Sequence, residues 1–578
     1  MVAALGHRGP DESGVERTER SAIGVARLAI IDVAHGHQPL LGPEGTSVLA
    51  CNGEIYGHRR LRSRLADYPF RTHSDVEVAL ALHRRHGDDF LSHLPGTFAL
   101  ALWDEAAGEL VLARDRFGER PLYWLRTDDG QLAFASELRA LAAGGLLERR
   151  VDRRVLAEVL RQGYVTPGTC IWEGVGSLGP AQRLRWRPGG EPVVERWWEP
   201  PPVGGRSSAD EAVEWFRTEL DRAVQDQLVA DVPVGAFLSG GLDSSVVAAL
   251  AARHHPGIEA FAFDMPGSTE VPHARSVAER HGIRLHVCST DLPAGTLPGL
   301  LREVSATWDE PFADSSAVPT WILSRFAREH VTVTLTGDGA DELLGGYLCW
   351  ARGYLEPDDP VRTGAPAPGG GRLARLLGGR RRGPRSVPEV ASRYAAFRAY
   401  LDDGDLARLG LPAVGRGRVE LDRYPYGTAD DISRFDLDHY LPGDILVKTD
   451  RAAMAHSLEV RAPYLDVAVA EGCLRLPPHH KVDAEREKLL LRRAFGDLLP
   501  PTVTARPKQG FGAPMDDWLR RDDVAGLVQE LVVAPGSVVS ELVDGEAAAE
   551  LVAAGGQRAW NLLSVALWWE HQRAGATA

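Results

Sequence analysis

Val232-Pro-Val-Gly-Ala-Phe-Leu-Ser-Gly-Gly-Leu-Asp-Ser-Ser245 is the stretch whose reading decides the fold. Val232 to Leu238 are an apolar strand, Ser239 to Ser245 a glycine turn, and Val246 to Arg253 a run of helix formers. Glycines let backbone N–H groups approach an anion closely. A helix start adds orphan N–H groups and a positive dipole end, so strand, turn and helix together suit a polyphosphate. The Gly-Lys pair of a Walker A loop occurs nowhere in the chain, which disfavours a P-loop kinase or GTPase. The competing reading is a tight turn with no ligand.

Outward from this loop, apolar runs at Ile258 to Phe263, Leu285 to Cys288 and Val331 to Leu335 alternate with helix-like segments, the pattern of a parallel α/β sheet. Such sheets take ligands at their carboxyl edge. Ser208-Ala-Asp-Glu211 has the spacing of a capping box and opens a helix whose apolar face is Val213, Phe216, Leu220, Val224 and Leu228. Before it, Trp197 to Gly205 reads as a Pro/Gly linker. Short runs at Ala22 to Ile31, Thr46 to Cys51, Thr97 to Trp103 and Glu109 to Ala113, with helical patterns at Asp75 to Arg85 and Glu137 to Ala143, predict a strand-rich α+β domain. Residues 357 to 390 are rich in Pro, Gly and Arg and read as a flexible insertion.

Composition bounds the function. The chain is 578 residues long, enough for two large domains, and its 44% hydrophobic and 25% charged fractions are those of a soluble globular protein. No unbroken apolar run reaches a membrane span or a secretory h-region, so a cytoplasmic protein without a membrane partner is expected. Five scattered cysteines, Cys51, Cys170, Cys288, Cys349 and Cys473, show no compact metal-ligand spacing. A net charge of −15 argues against a nucleic-acid partner and for small-molecule substrates. Only Lys448, Lys481, Lys488 and Lys508 are lysines, so each could mark a place where arginine's planar fork will not serve.

The string Ser239 to Ser245 resembles the pyrophosphate loop of enzymes that split ATP between its α and β phosphates, and in particular the glutamine-hydrolysing asparagine synthetase family. The resemblance extends through Asp309-Glu-Pro-Phe-Ala-Asp-Ser-Ser316, Thr336-Gly-Asp-Gly-Ala-Asp-Glu-Leu-Leu-Gly-Gly-Tyr347, Asp444 to Met454, Ser457 to Asp466 and Arg506-Pro-Lys-Gln-Gly-Phe511. It implies ATP and Mg²⁺ as cofactors. Leu238, Ser239, Gly240, Gly241, Asp243, Ser244, Thr336 and Gly337 would bind ATP and pyrophosphate, and Asp243 and Asp341 the metal, a hard cation suited to carboxylates and phosphate oxygens. Lys508 would stabilise charge on the phosphoryl group and Asp338, where relatives often carry glutamate, would orient or deprotonate the amine. The implied reaction is amidation of a carboxylic acid, with aspartate to asparagine through β-aspartyl-AMP as the default and glutamine or ammonia as nitrogen donor.

In the amino-terminal half, His7-Arg-Gly-Pro-Asp11, Ala26 to Asp32, Cys51-Asn-Gly-Glu-Ile-Tyr56 and Ser74-Asp75 resemble the glutaminase domain of class II amidotransferases. The resemblance implies that Arg27 and Asp75 grip glutamine, Asn52 and Gly53 form an oxyanion hole, and Glu54 lies beside the substrate. Family members begin Met-Cys-Gly, the exposed cysteine's α-amine serving as base at a pKa of about 8. Here residue two is Val2, and the strand and helix that precede the HRGPD motif in the family are missing. Cys51 is internal and has no free amine. As numbered, the chain contains no glutaminase nucleophile, so either a start codon is placed too late or the protein uses free ammonia.

The expected architecture is an incomplete Ntn-hydrolase-type αββα sandwich over 1–196, a linker over 197–207, and a PP-loop ATP pyrophosphatase domain with added helices over 208–578. The competing functions are a natural-product amidotransferase or β-lactam-type cyclising synthetase on the same fold, a nucleic-acid-modifying ATP pyrophosphatase, and a non-catalytic scaffold. Oligomeric state is open, a homodimer among the options.

Overall fold

The computed structural model describes residues 1–578 except 44, 206–207, 266–269, 290–292, 294, 348–393, 415–422, 425–428, 484, 507–509, 511 and 575–578. The segment 357–390 and Lys508 therefore lie outside the described residues, as does Cys349.

The amino-terminal half contains β1 (Glu12–Arg17), β2 (Ala22–Arg27), β3 (Leu40–Leu41), β4 (Ser47–Glu54), β5 (Thr97–Asp104), β6 (Glu109–Arg114), β7 (Tyr123–Arg126), β8 (Leu132–Ala135), β9 (Val175–Ser177), β10 (Gln182–Trp186) and β11 (Val193–Arg196). β11-β10-β6-β5-β4-β3 form an antiparallel sheet buried on both faces. Alternation explains this. Leu49, Cys51, Leu100 and Leu102 turn toward the helices His58–Arg64 and Glu77–His86, while Val48, Ala50, Ala101 and Trp103 turn the other way.

On that second face lie Ile23 and Val25 of β2 and Trp124, Leu132 and Phe134 of β7 and β8. Beyond them the helices Leu138–Ala143 and Arg153–Gln162 complete an αββα sandwich. Its second β layer is divided. β1-β2 and β8-β7-β9 are separate sheets, and a cavity of about 700 Å³ is lined by residues of both.

The carboxyl-terminal half holds a five-stranded parallel sheet, order β14-β13-β12-β15-β16, from β12 (Val234–Phe237), β13 (Glu259–Asp264), β14 (Arg284–Ser289), β15 (Val333–Leu335) and β16 (Glu459–Arg461). The chain steps outward from β12 to β14, then returns to the other side of β12. That reversal opens a crevice between the carboxyl ends of β12 and β15. Ser208 caps the helix Ala209–Gln227, accepting from the Glu211 N–H at 3.2 Å.

Hydrophobic packing does not stop at the linker. The helix Arg153–Gln162 shares a core with the tail helix Gly556–Ala574, and Asn561 donates to the Leu160 carbonyl at 2.9 Å. The linker is itself docked, Trp198 donating to Glu471 at 2.9 Å and Arg434 to the Pro201 carbonyl at 2.6 Å. Among the described residues one helical stretch, 522–541, has the length and hydropathy of a membrane span. Its Val524, Leu527, Leu531 and Val532 side chains are buried in the core shared with the tail helix.

Candidate active site

The loop after β12 and the loop after β15 meet across the switch-point crevice and line a cavity of about 340 Å³. Ser239 and Ser244 fix the first loop: their hydroxyls lie 2.9 Å apart, the Ser244 hydroxyl accepts the Ser239 N–H, and the Ser239 hydroxyl accepts the Gly241 N–H. Gly240 makes the turn at φ 76°, and a Cβ there would stand 2.6 Å from the Glu270 carbonyl. It shapes the loop without lining the cavity. Gly337 lets the second loop approach the first, since a Cβ would meet Asp243 Cβ and the Ser244 nitrogen at 2.9 Å. Leu238, Ser239, Gly241, Asp243, Ser244, Thr336, Gly337, Asp338 and Asp341 all line the one cavity.

Two lysines enter this cavity to which the sequence assigned no role, Lys448 and Lys488. Lys488 is buried, and its ammonium lies 2.5 Å from Asp243 Oδ2 and 2.6 Å from Asp341 Oδ1. Burial opposes the Lys488 charge, but the two carboxylates outweigh burial and push its pKa well up. Lys448 donates to Asp314 Oδ2 and Ser316 Oγ, both at 2.8 Å. Asp338 is half-buried beside this pair. Burial raises its carboxyl, with Lys448 and the hydroxyls of Thr449 (3.1 Å) and Thr336 acting against the rise. Lys481, by contrast, bonds Asp430 at 2.9 Å within the core and takes no part in the site.

Asp243 and Asp341 thus aim one oxygen each at a single cationic point. That donor set fits Mg²⁺, and a triphosphate could not approach two carboxylates without compensating charge. Arg492 and Arg506 line the same cavity, Arg506 lying 3.4 Å from Glu270. Arg506 opens one of the strings that carry the family resemblance but was given no role there, and Arg492 was not picked out, arginine being too abundant to be a signal.

In the amino-terminal half, Arg27, Asn52, Gly53, Glu54 and Asp75 all line the larger cavity. Arg27 is held by Glu12 at 3.2 Å and by the Ile31 and Asp32 carbonyls. Asp75 accepts the Ile55 N–H at 2.6 Å, and Asn52 donates weakly to Ser136 at 3.4 Å. Gly53, at φ 144°, lies against the Thr97 carbonyl, where a Cβ would come to 2.0 Å. Burial and the neighbouring Asp75 push the Glu54 carboxyl well up. Burial, with Asp75 and Glu54 nearby, pushes the Cys51 thiol well up, which holds it protonated. Cys51 is a buried core residue, in keeping with its exclusion as nucleophile.

Residues 216–570 match the asparagine synthase family model and residues 1–198 the glutamine amidotransferase domain. Fold and site define an enzyme, an ATP-dependent carbon–nitrogen ligase carrying an amidotransferase domain. Asparagine synthetase [glutamine-hydrolyzing] 1 of Bacillus subtilis is 31% identical over 92% of this chain and 86% of its own. For asparagine synthetase B of Escherichia coli the figures are 28%, 87% and 76%. A Mycobacterium tuberculosis protein, provisionally assigned as a glutamine-hydrolysing asparagine synthetase, is 35% identical over 97% of this chain and 91% of its own. The chain belongs to the asparagine synthetase family.

Proposed function

We propose that the protein activates the β-carboxylate of aspartate as β-aspartyl-AMP and converts it to asparagine. A carboxylate does not react with ammonia at neutral pH, so the acid must first become a mixed anhydride with AMP, with pyrophosphate leaving. The observation that carries this reading is the pairing of the 239–244 loop with the 336–341 loop at the switch point of a parallel sheet.

In this reading the backbone of Ser239 to Ser244 holds pyrophosphate and Leu238, Thr336 and Gly337 lie against the nucleotide. Mg²⁺, held by Asp243 and Asp341, would supply charge neutralisation at the phosphates. Lys508 stabilises the phosphoryl oxygens, and Asp338, its carboxylate held by the Thr449 hydroxyl and facing the charge of Lys448, orients the attacking amine. Residues 1–196 form the amidotransferase unit, in which Arg27, Asn52, Gly53, Glu54 and Asp75 surround glutamine, and 208–578 the synthetase unit. We place the enzyme in the cytoplasm, with small molecules as its partners.

The test is turnover of purified protein with ATP, Mg²⁺, aspartate labelled with ¹⁸O in its β-carboxylate, and either ammonia or glutamine. One ¹⁸O should appear in AMP for each asparagine formed. AMP without label, or label transfer only with an acid other than aspartate, overturns the proposed acceptor or intermediate; turnover with ammonia alone identifies the nitrogen source.

A further inference from the structure

Glu259, His286 and His330 converge toward the amino-terminal end of the parallel sheet, whereas the loops of the nucleotide crevice follow the carboxyl ends of β12 and β15. Glu259 opens β13, His286 lies in β14 and His330 leads into β15. In the β13–β14 register Glu259 pairs with Arg284 and Phe261 with His286, so these side chains emerge on one face. His286 Nε2 lies 3.1 Å from Glu259 Oε2, His330 Nδ1 lies 3.9 Å from the same oxygen, and the three ligand atoms are all within 4.8 Å of one another. Ligands bound at about 2.0–2.2 Å in a tetrahedron sit roughly 3.3 Å apart, so a small inward movement closes the set on one ion.

The rings are already oriented. His286 stacks on Phe261 at 5.3 Å and 17°, Phe326 packs edge-on to both imidazoles, and the two imidazoles are 4.3 Å apart. Arg284 takes the other carboxylate oxygen, Oε1, at 3.3 Å and leaves Oε2 facing the imidazoles. A carboxylate steered by an outer partner toward two fixed nitrogens is the arrangement that tunes a metal ligand set. We propose that Glu259, His286 and His330 form a site for a divalent transition-metal ion of the zinc class, with water completing the coordination. Two imidazoles and one carboxylate select Zn²⁺, Co²⁺ or Ni²⁺ over Mg²⁺, which keeps to oxygen ligands. The absence of a compact Cys/His spacing in the sequence does not bear on such a site, because its ligands come from β13, β14 and the turn before β15, segments far apart in the chain.

The experiment titrates the full-length protein, stripped with chelator and saturated with Mg²⁺ and ATP to fill the nucleotide site, with Co²⁺. One equivalent should bind, with the visible absorption of a four-coordinate cobalt centre, raise the thermal midpoint, and be displaced by Zn²⁺. The substitutions His330→Gln, on the more exposed ring, and Glu259→Gln should each abolish the cobalt spectrum while asparagine synthesis and the metal-free melting temperature persist. Absence of Co²⁺ binding overturns the proposal. So does an unchanged spectrum and stoichiometry in both variants, which would leave the trio as a hydrogen-bonded surface cluster.

Discussion

Lys488 is the residue on which the nucleotide site balances, because it neutralises two carboxylates that would otherwise repel across the crevice. Lys488→Ala is expected to lower AMP release on the order of a hundredfold, the usual worth of one charge aimed at a reacting centre, and Asp243→Asn by a similar factor. Lys488→Arg should restore little, because a planar fork cannot occupy a point between two oxygens. Steady-state AMP assays with each variant decide this. The role proposed for Asp338 predicts a pH limit: burial raises its carboxyl, and a carboxylate that orients or deprotonates the amine must be ionised. Turnover should fall as pH drops through that raised value, and Asp338→Asn should leave slow turnover without that acid limb in kcat/KM.

His456 ties stability to pH. His456 packs edge-on to Trp321 at 4.4 Å, and burial with Arg325 nearby pushes its pKa down to about 4. The unfolded chain, with His near 6.5, binds the extra proton first, so stability contributed by neutral His456 is present above that value and lost as pH falls toward 4. Discounted for partial exposure, the loss is on the order of 1–2 kcal/mol. His456→Leu should flatten the denaturation midpoint between those two pH values.

Among elements, the meeting of the β12 and β15 loops is the tightest requirement. Gly337→Ala places a methyl group against backbone and Cβ atoms that cannot swing aside. The loops must part, and kcat/KM for ATP should drop by about a hundredfold, as a 1 Å misplacement does, while the melting temperature moves little. The strands β12 to β15 and their loop were legible because apolar runs, glycines and helix formers follow one another within a few residues. β16 was not, since a single apolar residue between Glu459 and Arg461 makes no apolar run; only its place beside β15 reveals Glu459–Arg461 as strand. The stretch Asp436–Ile445, a π-helix with Pro442 inside, runs on into the helix Leu446–Met454 that carries Lys448 and Thr449 to Asp338. No local pattern announces that. Lys448, Lys488 and Asp314 reach the site from segments far apart in the chain; Lys448 and Asp314 lie within strings that carry the family resemblance, whereas Lys488 was marked only by the rarity of lysine.

Over the whole molecule, a buried lattice of charges joins the two halves. Arg8 of the His7-Arg8-Gly9 motif grips Asp450 with two bonds of 2.8 Å and Glu137 at 3.0 Å. Arg451 reaches Glu137 at 2.6 Å, Arg120 reaches Asp450 at 3.4 Å, and Arg461 reaches Glu54 at 3.4 Å. Burial alone would raise the Glu137 carboxyl, yet Arg451, His7 and Arg8 hold it well below its ordinary range. Removing one partner strands the others without solvent, so Asp450→Ala should cost about 3–5 kcal/mol in chemical denaturation, more than any single surface pair. With the shared core, the same lattice predicts one cooperative unfolding transition for both halves by calorimetry.

That lattice also limits how such an enzyme can be rebuilt. A glutaminase half borrowed from a relative would arrive with its own arginines and acids in slightly different places, and each mismatch would bury an ion without its counter-ion. Chimeras should therefore fail at the seam unless Arg8, Arg120, Glu137, Asp450 and Arg451 are carried across as one inherited set.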